Sequence, residues 1–289
     1  MSEKPTVAIG LLSGCFGCLM SFLDLADDLP ELLGRVELRR TPFNDVKEVE
    51  EVTIGILEGA VSTDENLELA RKMREKSQIL ISLGACSSLG GIPGMRNFYK
   101  APEVMAAVYG NKVPDEDIPH LLPQVMPAPQ AVKVDVTING CPPTTSSIKN
   151  ALLALLEGKT PVAPTKNLCI ECPRTKHKIL TPQRGFLTEG VRAVMELETI
   201  DPDTCFLEQG VICMGIATAA GCKARCTRNN MPCRGCFGPV PGVGSQGNKA
   251  IDTLASLIPP GALMFFEDCV GTGYRYTAAY DENLKVEKK

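Results

Sequence analysis

Six cysteines fall between Cys205 and Cys236, in the run C-F-L-E-Q-G-V-I-C-M-G-I-A-T-A-A-G-C-K-A-R-C-T-R-N-N-M-P-C-R-G-C. Gly, Ala and Pro fill most of the gaps, so the segment has too little bulky apolar side chain to fold around a core of its own. Something bound must hold it together. Disulfides, zinc and iron–sulfur clusters are the three binders to weigh. Disulfides belong to oxidising compartments and usually follow a signal peptide, and the N-terminal M-S-E-K-P-T-V-A-I-G-L-L has no apolar run long enough to be one. Zinc accepts four thiolates, commonly from two C-x2-C pairs, so a zinc-stabilised binding module stays open as a local reading. The total count favours iron–sulfur: 13 cysteines beside only 2 histidines make an all-thiolate inventory, which suits clusters ligated by four cysteines.

Cys169 and Cys172 precede this segment in N-L-C-I-E-C-P-R. With Cys205, Cys213, Cys222, Cys226, Cys233 and Cys236 they give eight ligand candidates, enough for two clusters of four thiolates each. Spacing alone does not divide them between two sites. Cys269, in F-F-E-D-C-V-G, is left over and reads as a buried or free thiol. Lys223, Arg225, Arg228 and Arg234 lie among these cysteines. They read either as a solvated charged loop or as charges that offset an anionic cluster and raise its reduction potential.

Four further cysteines are far apart in the first half, and the elements that must position them are regular. Thr6 to Leu12 reads as a buried strand, followed by S-G-C-F-G-C and an amphipathic helix from Ser21 to Leu33. Val36 to Arg40 gives a second strand and Val52 to Leu57 a third, ending at Glu58. Asp64 reads as the N-cap of a helix to about Lys76, with Leu67, Ala70 and Met73 at helical spacing. Gln78 to Leu83 is a fourth strand, closed by G-A-C-S-S-L-G-G-I-P-G. A Pro- and charge-rich excursion runs from Pro102 to Pro129. Val132 to Ile138 is a fifth strand, closed by N-G-C-P-P, and Ser146 to Leu156 a last helix.

This alternation predicts an α/β fold, a flavodoxin-like doubly wound parallel sheet, followed by a smaller, loop-rich cysteine domain. Ligands of open α/β sheets bind outside the carboxyl ends of the strands. Cys15 and Cys18 follow the first strand, Glu58 ends the third, Cys86 follows the fourth and Cys141 the fifth, so four cysteines converge on one edge. Four thiolates in one place are a complete [4Fe–4S] ligand set. A single cysteine after a strand is ordinarily a small apolar residue, but four of them, each close to a glycine that admits backbone N–H groups toward sulfur, make a site. C-F-G-C between strand and helix also fits a thioredoxin-type redox pair, which would leave Cys86 and Cys141 without a role. G-V-G-S-Q-G at Gly242 to Gly247 follows prolines rather than a strand, and carries no nucleotide-binding expectation.

A chain of 289 residues can form two ordinary domains. K-T-P-V-A-P near Gly158 to Pro164 marks a boundary, predicting domains 1–160 and 161–289. Helices are expected from Thr188 to Glu198 and Asn248 to Leu257, with a frayed tail at Lys285 to Lys289. A net charge of −4 and the absence of tryptophan give no electrostatic reason to expect nucleic acid. No spanning helix or lipidation box is visible, so a soluble cytoplasmic protein is expected.

Together these motifs resemble the small, electron-transferring subunit of nickel–iron hydrogenases over nearly the whole chain. S-G-C-F-G-C, L-E-G-A, G-A-C-S-S-L-G-G-I-P-G and G-C-P-P look like that family's proximal-cluster motifs in the family's order, implying Cys15, Cys18, Cys86 and Cys141 as proximal [4Fe–4S] ligands. N-L-C-I-E-C-P-R, Q-G-V-I-C-M-G and N-M-P-C-R-G-C-F-G-P look like the cytoplasmic branch that includes the methyl-viologen-reducing, F420-non-reducing enzymes. By that resemblance Cys222, Cys226, Cys233 and Cys236 hold a medial cluster, and Cys169, Cys172, Cys205 and Cys213 a distal one. Many periplasmic relatives carry histidine where this chain has Cys169 and lack a thiolate at the place of Cys226, which favours three [4Fe–4S] clusters here. F420-reducing relatives end in ferredoxin-like C-x2-C-x2-C-x3-C-P repeats, absent from this chain. The resemblance implies a [NiFe] large subunit that splits H2, since no nickel-binding pair of C-x2-C motifs remains. Electrons would leave for an acceptor subunit, linked to heterodisulfide reductase or to an NAD(P) or ferredoxin diaphorase. Glu58 would lie at the large-subunit interface or serve as a proton contact. A quinone-linked subunit of respiratory complex I shares the first-half motifs, and normally lacks the eight-cysteine half.

Overall fold

The structure is a computed structural model that describes residues 4–110, 112, 117–177, 193–257, 268–281 and 284. The chain divides into two compact units, 1–162 together with 276–289, and 163–275. The closing stretch that begins at Tyr276 therefore returns to the first unit, where a division at 160/161 would leave it in the second.

The first unit is built on five parallel strands: β1 (Thr6–Leu11), β2 (Glu37–Arg40), β3 (Val52–Glu58), β5 (Ser77–Leu83) and β7 (Val136–Ile138). They lie in the order β2-β1-β3-β5-β7, the flavodoxin-like order expected. Pairing runs Val7↔Ile54 to Leu11↔Glu58, then Ile54↔Ile79 to Glu58↔Leu83. Side chains alternate across the sheet. Val7, Ile9, Ile54 and Ile56 pack on one face against Phe22 and Ile148, while Ala8, Leu57 and Leu80 pack on the other against Ala70 and Met73. Both faces are buried, as a parallel sheet covered by crossover helices requires. The order reverses between β1 and β3, so the switch-point crevice opens at Leu11 and Glu58.

The helices of this unit are α1 (Gly17–Leu23), α2 (Asp28–Arg35), α3 (Asp64–Lys76), α4 (Gly84–Leu89), α5 (Ala101–Tyr109), α6 (Ala128–Ala131) and α7 (Thr145–Leu156). The single helix expected over Ser21 to Leu33 is two. A proline ring clashes with the carbonyl four residues back, and at Pro30 that residue is Ala26, which turns left-handed at φ 50° and breaks the helix. The N-cap of α3 is Thr63, not Asp64: the Thr63 hydroxyl accepts the Asn66 N–H at 3.2 Å. Asp64 instead accepts the N–H groups of Glu65 and His120. The fifth strand begins at Val136 rather than Val132: residues 132–135 are irregular chain after α6, and at Asp135 the side chain, not the backbone, accepts the Leu80 N–H. The Pro-rich excursion holds structure: β6 (Leu121–Met126) pairs antiparallel with β4 (Val61–Thr63) in a separate two-stranded sheet.

The second unit is built mostly of short turns, with one longer helix. Leu168–Ile170, Val194–Glu196, Phe206–Gln209 and Met214–Ala217 are 3₁₀ turns, followed by α8 (Arg225–Arg228), α9 (Gln246–Ala255) and α10 (Cys269–Gly273). No strand longer than an isolated bridge occurs there among the described residues. Its core joins Leu168, Phe206, Val211 and Met214 to Cys213 and Cys233 themselves. The helix expected from Thr188 to Glu198 is a short turn at Val194–Glu196 in its described part; residues 188–192 and the tail 285–289 lie outside the described residues. The helix expected from Asn248 starts at Gln246, capped by the Ser245 hydroxyl on Asn248 N–H. No helix among the described residues is long and apolar enough to cross a membrane.

Candidate metal centres

The carboxyl edge of the first sheet gathers its four cysteines. The Cys18 thiol lies within electrostatic reach of Cys86, Cys141, Cys15 and the Glu58 carboxyl, and Cys86 within reach of Cys141 and Cys15. Strand ends do the positioning. Cys15 sits on the turn from β1 into α1, Cys18 in the first turn of α1, Cys86 in the first turn of α4, and Cys141 after β7. Glu58 is 2% exposed. Its two carboxylate oxygens accept the N–H groups of Cys18 at 3.1 Å and Leu19 at 3.0 Å. It thereby satisfies donors at the start of α1 and fixes Cys18 against the end of β3. Burial raises the Glu58 carboxyl above the ordinary range, and these two N–H groups partly oppose the rise.

Two glycines make room for the sulfurs. A Cβ at Gly84 would collide with Cys18 Sγ, and one at Gly91 would stand 2.6 Å from Cys86 Sγ. Both have positive φ, 85° and 54°, which glycine adopts without strain. Burial, then neighbouring thiols and Glu58, pushes the Cys86 thiol up to about 11. Burial likewise raises Cys18, and partial desolvation of the thiol raises Cys141 although that residue as a whole is exposed. Thiols so placed become a thiolate set only with a cation among them.

In the second unit Cys169, Cys172, Cys205 and Cys213 line one cavity, together with Leu168, Arg174 and Phe206. The chain aims backbone donors at the sulfurs. Cys205 Sγ receives the Leu207 N–H, Cys213 the Gly215 and Cys233 N–H, Cys222 the Arg225 and Ala224 N–H, and Cys233 the Gly235 N–H. The donor two residues on recurs in all four, and such N–H groups stabilise sulfur in its anionic, metal-bound form. Burial still dominates: it pushes Cys213 up to about 12 and raises Cys205, Cys222 and Cys233. Lys223 and Ala224 take consecutive left-handed conformations at φ 55° and 53°. Glu171 holds that loop by accepting the Gly221 and Lys223 N–H groups. The donor chemistry therefore fits thiolate-bound iron. Among the described residues no three His, Cys, Asp or Glu side chains converge as for a single ion; a cubane makes a different demand, since each thiolate binds its own iron at a separate corner.

Lys223, Arg225, Arg228 and Arg234 are all exposed. Arg228 spends its guanidinium on the carbonyls of Lys223 and Glu171. Among the described residues the buried cation of this unit is Arg174, a residue that motif spacing did not single out. Cys269 opens α10 beside the capping Asp268, and burial, then the Asp268 charge, raises its thiol. G-V-G-S-Q-G is a turn leading into α9.

The family model described as NADH ubiquinone oxidoreductase, 20 Kd subunit, matches residues 15–155. That match stops before the eight-cysteine half. Relatives that carry both halves are hydrogenase subunits. A vhu F420-non-reducing hydrogenase subunit of Methanococcus voltae is 38% identical, covering 100% of this chain and 93% of that protein. An F420-non-reducing hydrogenase subunit of Methanothermobacter marburgensis is 35% identical over 96% of this chain and 95% of its own. Among solved structures, a chain of an NAD+-reducing [NiFe]-hydrogenase in the H2-reduced state superposes with a TM-score of 0.54 at 38% identity, covering 56% of this chain and 96% of that one. The [NiFeSe]-hydrogenase of Dm. baculatum shares the fold over 84% of this chain and 97% of its own, with a TM-score of 0.55 at 20% identity. The two-part architecture and the full-length relatives agree: the chain belongs to the small, electron-transferring subunits of F420-non-reducing [NiFe] hydrogenases.

Proposed function

We propose that this subunit carries three [4Fe–4S] clusters and passes electrons from H2 oxidation on a large subunit to an acceptor subunit in the cytoplasm. The observation that carries the reading is the gathering of Cys15, Cys18, Cys86 and Cys141, remote in sequence, at one sheet edge. In this reading they hold the proximal cluster. Cys169, Cys172, Cys205 and Cys213, which line one cavity, hold the distal cluster, and Cys222, Cys226, Cys233 and Cys236 the medial one. A bound [4Fe–4S] cluster supplies one-electron uptake and release. The protein's own contribution is placement: glycines that leave room for sulfur, N–H groups aimed at sulfur, and apolar walls that exclude water.

Two exposed regions suit the two partners. Phe16 and Ile92, 47% and 49% exposed, flank Cys15 and Cys86 and offer the large subunit an apolar contact. Ile170, 64% exposed between Cys169 and Cys172, marks the side from which electrons leave. The acceptor is a subunit linked to heterodisulfide reductase or to an NAD(P) or ferredoxin diaphorase. Glu58 holds Cys18 in place and stands where a proton or interface contact would be made. Iron and acid-labile sulfide measured on anaerobically purified complex test the reading. About twelve of each per chain are expected from three cubanes. About four of each, or zinc in place of iron, would overturn it.

A further inference from the structure

The cavity lined by Cys169, Cys172, Cys205 and Cys213 has a fully formed positive charge in its wall. Arg174 is 5% exposed. Its Nε donates to the Thr227 carbonyl at 3.1 Å, its Nη1 to the carbonyls of Asp201 at 2.6 Å and Thr204 at 2.8 Å, and its Nη2 to Asn230 Oδ1 at 2.8 Å. The guanidinium lies 3.9 Å above the centroid of the Phe206 ring. Every one of these partners is neutral. Among the described residues no carboxylate pairs with Arg174 within ion-pair distance. Asp201 feels it weakly, after the Thr204 hydroxyl and the Asp203 N–H.

A buried cation without a counter-charge is costly, and a well-packed apolar side chain of similar volume often serves a fold at least as well. Arginine cannot escape the cost by losing its proton. Lys176 also lines the cavity, but it is exposed, so water and salt screen it. Glu208 bonds to the exposed His177 at the same rim. Glu208 is itself little exposed and acts on Cys205 with the opposite sign; of the two cations that line the cavity, the buried one is Arg174.

We propose that Arg174 sets the reduction potential of the centre held by Cys169, Cys172, Cys205 and Cys213, by stabilising its reduced state. This rests on the reading that these four cysteines bind a [4Fe–4S] cluster. Four thiolates around a core of charge 2+ carry −2, and one electron makes the total −3. That electron originates in H2 oxidised on the large subunit and leaves for the acceptor subunit; no bond is made and Arg174 keeps its proton throughout. A fixed cation beside the site favours −3 over −2, so electrons are drawn to this end of the chain.

Potentiometric EPR titration of the complete hydrogenase complex tests this, with Cys172→Ser identifying which signal belongs to the site. Arg174→Met should move that one potential negative, by about a tenfold change in the reduced-to-oxidised ratio at fixed potential, or 59 mV for one electron. The other potentials should hold, and Arg174→Lys should restore much of the shift. Should Arg174→Met fail to fold, Asn230→Asp supplies the test, because it places a carboxylate on the guanidinium without emptying the pocket. It should lower the same potential. An unchanged potential in a folded, iron-replete Arg174→Met, or in Asn230→Asp, would overturn the role of Arg174. A folded Cys172→Ser complex that keeps every signal of the wild type unchanged would instead overturn the cluster assignment beneath it.

Discussion

The two units place their cysteines by opposite means. In the first, Cys15, Cys18, Cys86 and Cys141 hang from the ends of strands whose register is fixed by Ile54, Ile56, Leu80 and Ile81, and the apolar layers close without help from most of the thiols. In the second, Cys213 and Cys233 are core residues, with Cys172, Cys205 and Cys222 packed against that core, and apart from α9 the described regular structure is reduced to short turns. A sheet carries its cysteines as a frame carries hooks. The second unit lacks such a frame, so under the proposed function its fold and its clusters are one free-energy problem.

Removing iron anaerobically is the most severe way to break this contrast. Amide exchange should lose protection throughout 204–236 while β1, β3 and β5 stay protected; equal loss in both units would end the distinction. A milder version compares Cys213→Ser, at a buried core position, with Cys141→Ser, at an exposed one. Each should cost about four irons per chain, but only Cys213→Ser should also lower the melting temperature of the second unit. The smallest effect sharpens the account of the first unit. Asp135 Oδ2 accepts the Leu80 N–H at 2.8 Å and pairs with Arg74. Burial opposes its charge, but that N–H and Arg74 outweigh burial and hold the carboxyl below the usual aspartate range. A depressed acid stabilises the fold above its unfolded value, about 3.9, and loses that contribution as pH falls through the lower folded value. Asp135→Asn should therefore cost about 1 kcal/mol at neutral pH, since solvent screens this partly exposed pair, shrinking toward zero in acid, with all iron retained. A denaturation series against pH reads both.

The contrast also explains what could be read from sequence. Strands such as Val52–Glu58 are continuous apolar runs, so they and the cysteines that follow them stand out in the chain. The pairing of Val61–Thr63 with Leu121–Met126 does not, because three residues carry no period and their partner lies some sixty residues on. Pro30 did carry the signal for the break at Ala26, hidden by the helical spacing around it. In the second unit the cysteines are legible as donors, but how turns such as Cys222–Cys226 present their N–H groups depends on left-handed Lys223 and Ala224, whose side chains give no hint of it. Arg174 looks like any surface arginine until Thr227, Asp201, Thr204 and Asn230 close around it.

The return of Tyr276 to the first unit has a consequence for synthesis. The Tyr276 carbonyl accepts the Gly91 N–H at 3.2 Å, and Ala279 sits where side chains on Gly90 or Gly94 would go. A ribosome delivers those residues only after the whole of 163–275 has emerged. The nascent sheet can form early, but the lip beside Cys86 stays uncovered until 276–279 follow 163–275 out of the ribosome.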